Sequence, residues 1–73
     1  MLNIEWIENG VKKGAITIIV GYNKLFHNQY PIYIYSQEEM NDVLNYLNNN
    51  DDNQISYITL DLLSIKYKKP YKN

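Results

Sequence analysis

The chain has 73 residues with seven lysines against eight acids, a formal charge of −1, and half of it is written in four residue types: 11 Asn, ten Ile, seven Lys and eight Tyr. It has no Cys, no Arg and one His, which excludes thiolate catalysis, cysteine-ligated zinc and iron–sulfur clusters and removes the side chain that dominates base readout. So short a chain allows one domain and buries only roughly 60% of its unfolded surface, so a homodimer is expected as the route to a larger core.

In chain order, Leu2, Ile4 and Trp6 alternate with Asn3 and Glu5, which predicts a strand over 2–8, and Asn9-Gly10 predicts the turn that ends it. A three-residue loop with Gly10 in a bulge position is the register that keeps Ile16 on the face of Leu2, Ile4 and Trp6. The segment 13–22 is apolar on both faces and reads as a central strand, with Gly21 as a site for a bulge. Residues 22–29 form a connector that holds His27. A third strand follows over 30–35, with Pro31 confined to its start or to a sheet edge. Tyr30, Ile32 and Ile34 share one face of it, Tyr33 and Tyr35 the other.

Ser36 and Glu39 have the spacing of a capping box, and Met40, Val43, Leu44 and Leu47 make the apolar stripe of a helix that ends in the Asn- and Asp-rich run 48–54. Residues 55–68 read as extended, but the apolar phase shifts from Ile58 and Leu60 to Leu63, Ile65 and Tyr67, so a break is expected near Asp61-Leu62; a short helix through Leu60, Leu63 and Tyr67 is the alternative. The expected fold is a small antiparallel β-sheet in an α+β chain, order β-β-β-α-β with a possible fifth strand, and one amphipathic helix on one face. It fills 1–68 as a single domain, followed by a flexible basic tail over 69–73. The N-terminus lacks a secretion signal and no apolar run is long, so a cytoplasmic protein without membrane contact is expected.

Catalytic constellations are weak. His27 has no cysteine to pair with, Glu5 with Glu8 or Glu38 with Glu39 are the nearest candidates for a carboxylate pair, and Asp51-Asp52-Asn53 lacks the spacing of a calcium loop. No glycine-rich phosphate loop occurs. The expectation is a protein without catalytic residues, metal or cofactor.

Charge is sorted along the chain: residues 36–61 carry six acids and no base, while 62–73 carry four lysines and no acid. An acidic helix and loop (Glu38, Asp42, Asp51, Asp52) suit a partner protein with a basic surface. Trp6, Tyr33 and Tyr35 are the aromatic candidates for a partner patch or dimer seam. Lys66, Tyr67, Lys68, Lys69 and Tyr71 interleave cations with rings, the pattern of a single-stranded nucleic-acid contact, and nucleic acid ranks behind protein as partner. In its composition the chain resembles the accessory proteins of bacteriophages and other mobile elements, a resemblance of A/T-rich coding, small size and charge segregation. Many such proteins bind and inhibit a host enzyme or defence complex in the host cytoplasm. The resemblance implies a protein-binding inhibitor that occludes a basic, nucleic-acid-binding surface.

Overall fold

A computed structural model describes residues 3–49 and 54–67. Six elements follow one another: α1 (Ile4–Lys13), β1 (Thr17–Asn23), β2 (Asn28–Ile34), α2 (Gln37–Asn48), β3 (Ile55–Asp61) and α3 (Leu62–Tyr67). The strands form an antiparallel sheet in the order β2-β1-β3, so the fold is a small α+β one built on an antiparallel sheet, as the sequence implies.

β1 is central because its β-branched run Thr17-Ile18-Ile19-Val20 suits a pleated strand and offers apolar side chains to both faces. All four of these residues are buried. Gly21 introduces no bulge, since both registers run unbroken through it. It lies opposite Tyr30, whose ring crosses it so closely that an added Cβ would sit 2.6 Å from Cε1 and Cζ. The glycine is there to let the ring lie flat on the strand.

The first element corrects the strand expected over 2–8. Residues 4–13 are helical, with the Asn3 side chain accepting from the Glu5 N–H at 2.8 Å, Glu5 in the first turn, and Lys12 and Lys13 in the last turn. That arrangement suits both the unpaired amides and the helix dipole. Gly14 closes the helix at φ 86°, the left-handed region: its N–H donates to the Val11 carbonyl, and Ala15 N–H donates to Gly10 O at 2.9 Å. These two bonds are a Schellman motif, and they need a glycine at 14. Asn9-Gly10 is therefore no turn. Gly10 is buried in mid-helix, where a Cβ would meet Leu62 Cδ1 at 2.8 Å and Ile18 and Tyr33 Cδ1 at 3.2 Å. Its missing side chain lets α1 approach the sheet, and Trp6, Ile7 and Val11 complete the packed face.

α2 follows the sequence expectation. Ser36 Oγ accepts from Glu39 N–H at 3.1 Å, and Glu39 Oε1 accepts from the Tyr35 N–H at 2.8 Å, one residue before the cap. Met40, Val43, Leu44 and Leu47 pack on Ile19, Ile32, Ile34, Ile55 and Tyr57. On the opposite face, Ala15, Ile18, Val20 and Leu62 form a second core cluster with Trp6, Ile7, Val11, Tyr33 and Leu60. α2 covers one face, as expected of the single amphipathic helix, and α1 with Leu62 packs on the other, where the sequence implied no helix.

The break at Asp61-Leu62 marks a change from strand to helix. Asp61 Oδ1 accepts from Leu63 N–H at 3.0 Å, a cap-like bond, and Leu62 is fully buried while Leu63 is exposed. The extended reading of 62–67 is thus replaced by α3, the alternative that the apolar phase shift allowed.

Candidate functional site

The β1–β2 connection is a four-residue loop, Lys24-Leu25-Phe26-His27, between the paired residues Asn23 and Asn28. Its shape is dictated by Asn23, whose Oδ1 accepts from the N–H of Leu25 at 2.9 Å and of Phe26 at 3.0 Å, an Asx turn. His27 takes the left-handed conformation at φ 57° and donates its N–H to Asn23 O at 2.7 Å. Its Nδ1 lies 3.1 Å from the Tyr22 hydroxyl, and Lys24 N–H donates to Gln54 O at 2.6 Å. The backbone of the loop is fixed at both ends and in the middle. Yet Leu25 is 63% exposed and Phe26 70% exposed. An ordered turn that holds two adjacent large apolar side chains in water has no folding reason to do so, since both would gain by burial.

Of the acidic residues, Glu38 and Asp42 lie one turn apart on the outward stripe of α2, opposite Met40, Val43, Leu44 and Leu47. Tyr46 continues that stripe one turn later and is 70% exposed. α2 carries no basic residue, and Gln37 Nε2 on its outward side donates to Asn41 Oδ1 one turn on at 3.2 Å. Asp51 and Asp52 lie outside the described residues.

The aromatic trio is divided. Trp6 and Tyr33 are half-buried between α1 and the sheet, where Asn9 Nδ2 donates to the Tyr33 hydroxyl at 3.4 Å and Lys13 Nζ stands 5.2 Å from the Tyr33 ring centroid. These two rings belong to the packing of α1. Tyr35, after β2, is exposed. Lys66 and Tyr67 fall in the last turn of α3, and Lys68, Lys69 and Tyr71 lie outside the described residues.

Two open clefts lie between described residues. One of about 560 Å³ runs along α1 past Glu5, Trp6, Glu8, Asn9 and Lys12. Glu5 and Glu8, the carboxylate pair considered from sequence, are thus neighbours in an open groove beside Lys12. The other, about 280 Å³, lies between the start of α2 and the end of β3, with Gln37, Met40, Thr17, Thr59 and Asp61 on its walls. The Asp61 carboxylate there is engaged with the Leu63 amide. Among the described residues, no three His, Cys, Asp or Glu side chains come together as a metal site. No described helix is long and apolar enough to cross a membrane.

No family model, curated protein or solved structure matches this chain.

Sequence reasoning missed Leu25, Phe26 and Tyr46. The segment 22–29 reads as a connector because Asn and Gly surround it, although Leu25-Phe26 in the middle of a polar loop is itself the signal. Tyr46 was hidden by the tyrosine abundance of the whole chain.

Proposed function

We propose that the protein is a non-enzymatic protein-binding module that seats its hairpin tip in an apolar pocket of a partner protein, with the acidic outer face of α2 against basic surface on that partner. The observation that carries this reading is the tip itself, Leu25 and Phe26 exposed on a backbone held by Asn23. A pre-ordered loop gives up little entropy when it docks, and a large aromatic entering a pocket is the usual energetic anchor of an interface.

Charge indicates the class of partner. Glu38 and Asp42 with Tyr46 offer anionic groups beside a rigid ring, a surface complementary to one that otherwise holds phosphates. The reading is an inhibitor, encoded by a phage or other mobile element, that acts in the host cytoplasm by occluding a nucleic-acid enzyme or defence complex. α2 reaches the hairpin end of the molecule at its C-terminus, where the Tyr57 hydroxyl donates to Asn48 Oδ1 at 2.6 Å, so Tyr46 and the tip lie toward the same end.

Replacing Leu25 and Phe26 together by Ser removes the anchors without touching the core, and is expected to weaken capture of the partner from host extract by roughly thirtyfold, the effect of losing about 2 kcal/mol. Glu38→Lys with Asp42→Lys should slow association most at low salt. Capture that is indifferent to both double variants, with their circular dichroism unchanged, sinks the reading.

A further inference from the structure

The two edges of the sheet are built differently. Leu62 N–H donates to Ile16 O at 2.9 Å and Lys24 N–H to Gln54 O at 2.6 Å, and both pairs extend the β1–β3 register at its two ends. Antiparallel ladders alternate, so Ser56, Ile58 and Leu60 turn their backbone groups toward β1, while Ile55, Tyr57, Thr59 and Asp61 turn theirs to the open edge. The same alternation on β1 leaves Gln29, Pro31 and Tyr33 facing outward from β2.

Pro31 has no N–H to offer, and it sits at the middle of the β2 edge, where it blocks the addition of another strand. β3 carries no such device. From Ile55 to Leu60 it has no charge and no proline, its register is unbroken, and no described residue bonds the outward amides. Its central residue Ile58 is 54% exposed on the α1 face, at a position where a guarded edge strand would carry a lysine.

We propose that β3 pairs with β3 of a second copy of this chain, antiparallel about a two-fold axis at Ile58, so that two three-stranded sheets join into one of six strands. The sequence of β3 is self-complementary in that register. Tyr57 exchanges hydrogen bonds with the partner's Thr59, and Ile55 with the partner's Asp61, so every outward backbone group of β3 finds a partner. Asp61 meets an isoleucine rather than a second acid, which avoids like-charge contact. Ile58 faces the partner's Ile58 as a non-hydrogen-bonded pair, about 4.5 Å between Cα atoms, and each covers the other. The pairing stands apart from partner capture by the hairpin tip and does not depend on it.

Sedimentation velocity over a range of concentrations is the test, with a dimer expected for the unaltered chain. Thr59→Pro deletes one outward N–H while sparing the ladder to β1, and Ile58→Lys sets two cations face to face. Each is expected to raise the dimer dissociation constant at least roughly tenfold, whereas Asn41→Lys on the outer face of α2 leaves it unchanged. Far-UV circular dichroism checks the fold of each variant. Because the chain has no cysteine, Ile58→Cys gives an independent reading even if Thr59→Pro fails to fold: the Cα separation at the axis suits a disulfide, and mild oxidation should link this variant into dimers far faster than Asn41→Cys. A chain that is monomeric at high micromolar concentration overturns the proposal. So does a dimer that survives both edge substitutions and whose Ile58→Cys form links no faster than the Asn41→Cys form.

Discussion

Gly10→Val lowers the thermal midpoint by roughly 10–20 °C, the effect of about 2–3 kcal/mol in a domain of this size. Two effects oppose each other at this position. A glycine in mid-helix costs about 1 kcal/mol relative to alanine, so any side chain here gains something from the backbone. Against that, a Cβ at position 10 would lie 2.8 Å from Leu62 Cδ1 and 3.2 Å from Ile18 and Tyr33 Cδ1. Leu62 and Ile18 are fully buried with nowhere to swing, and the two methyls of valine reach further than the Cβ. α1 must then lift from the sheet, exposing Trp6, Ile7 and Val11. Overpacking wins. A chain of this length has a total stability of only about 4–11 kcal/mol, so the loss is a large fraction of it. A thermal melt of Gly10→Val beside Gly10→Ala checks the argument: the valine variant must be clearly the less stable. If residues 4–13 were instead a hairpin with Gly10 in its loop, both substitutions would strain the turn alike.

Leu62→Ala costs about 2–5 kcal/mol, while Leu63→Ala costs under about 1 kcal/mol. The contrast follows from α3. Leu62 is fully buried among Ala15, Ile18 and Val20, with its N–H donating to Ile16 O, so truncation opens a cavity beneath α1. Leu63 is 37% exposed and can relax into solvent. A continued strand through 61–67 would keep Leu62 in phase with Leu60 on the α1 face and turn Leu63 to the α2 face beside Tyr57 and Thr59, so both truncations would then be costly and the contrast would vanish. Urea unfolding of the two variants decides between these arrangements through the midpoint, with m expected to stay constant.

These two positions also mark where the sequence misleads. α2 was legible because three signals agree: Ser36 with Glu39 at the start, the four-residue apolar stripe, and the Asn-rich end. The central place of β1 was legible from Ile16 to Val20, apolar on both faces. At the N-terminus the signals conflict. Leu2, Ile4 and Trp6 spell a strand over too few residues to separate period 2 from period 3.6, and Asn9-Gly10 is the strongest short turn signal there is. The helix was written in its ends, Asn3 as cap and Lys12-Lys13-Gly14 as stop. Gly10 conceals it because a glycine needed for close packing and a glycine needed for a turn look alike in one sequence.

Of the proposed binding surface, the outward acids of α2 could be read from helical spacing, whereas the hairpin tip could not. Its meaning depends on Asn23 fixing the loop and on Leu25 and Phe26 remaining in water, and both are facts of three dimensions. Trp6 and Tyr33 show the converse. They are interface-type residues that α1 and the sheet half-bury against the core, an arrangement that could not be foreseen while residues 2–8 were read as a strand.

The most direct test of the binding account is site-specific photo-cross-linking in host extract, with a photoreactive amino acid placed at Phe26 and, as a control, at the exposed Ile4 of α1. A partner protein with a basic surface should be trapped from position 26 and not from position 4, and an excess of unmodified protein should compete it away. Equal trapping from both positions, or none from position 26, contradicts it.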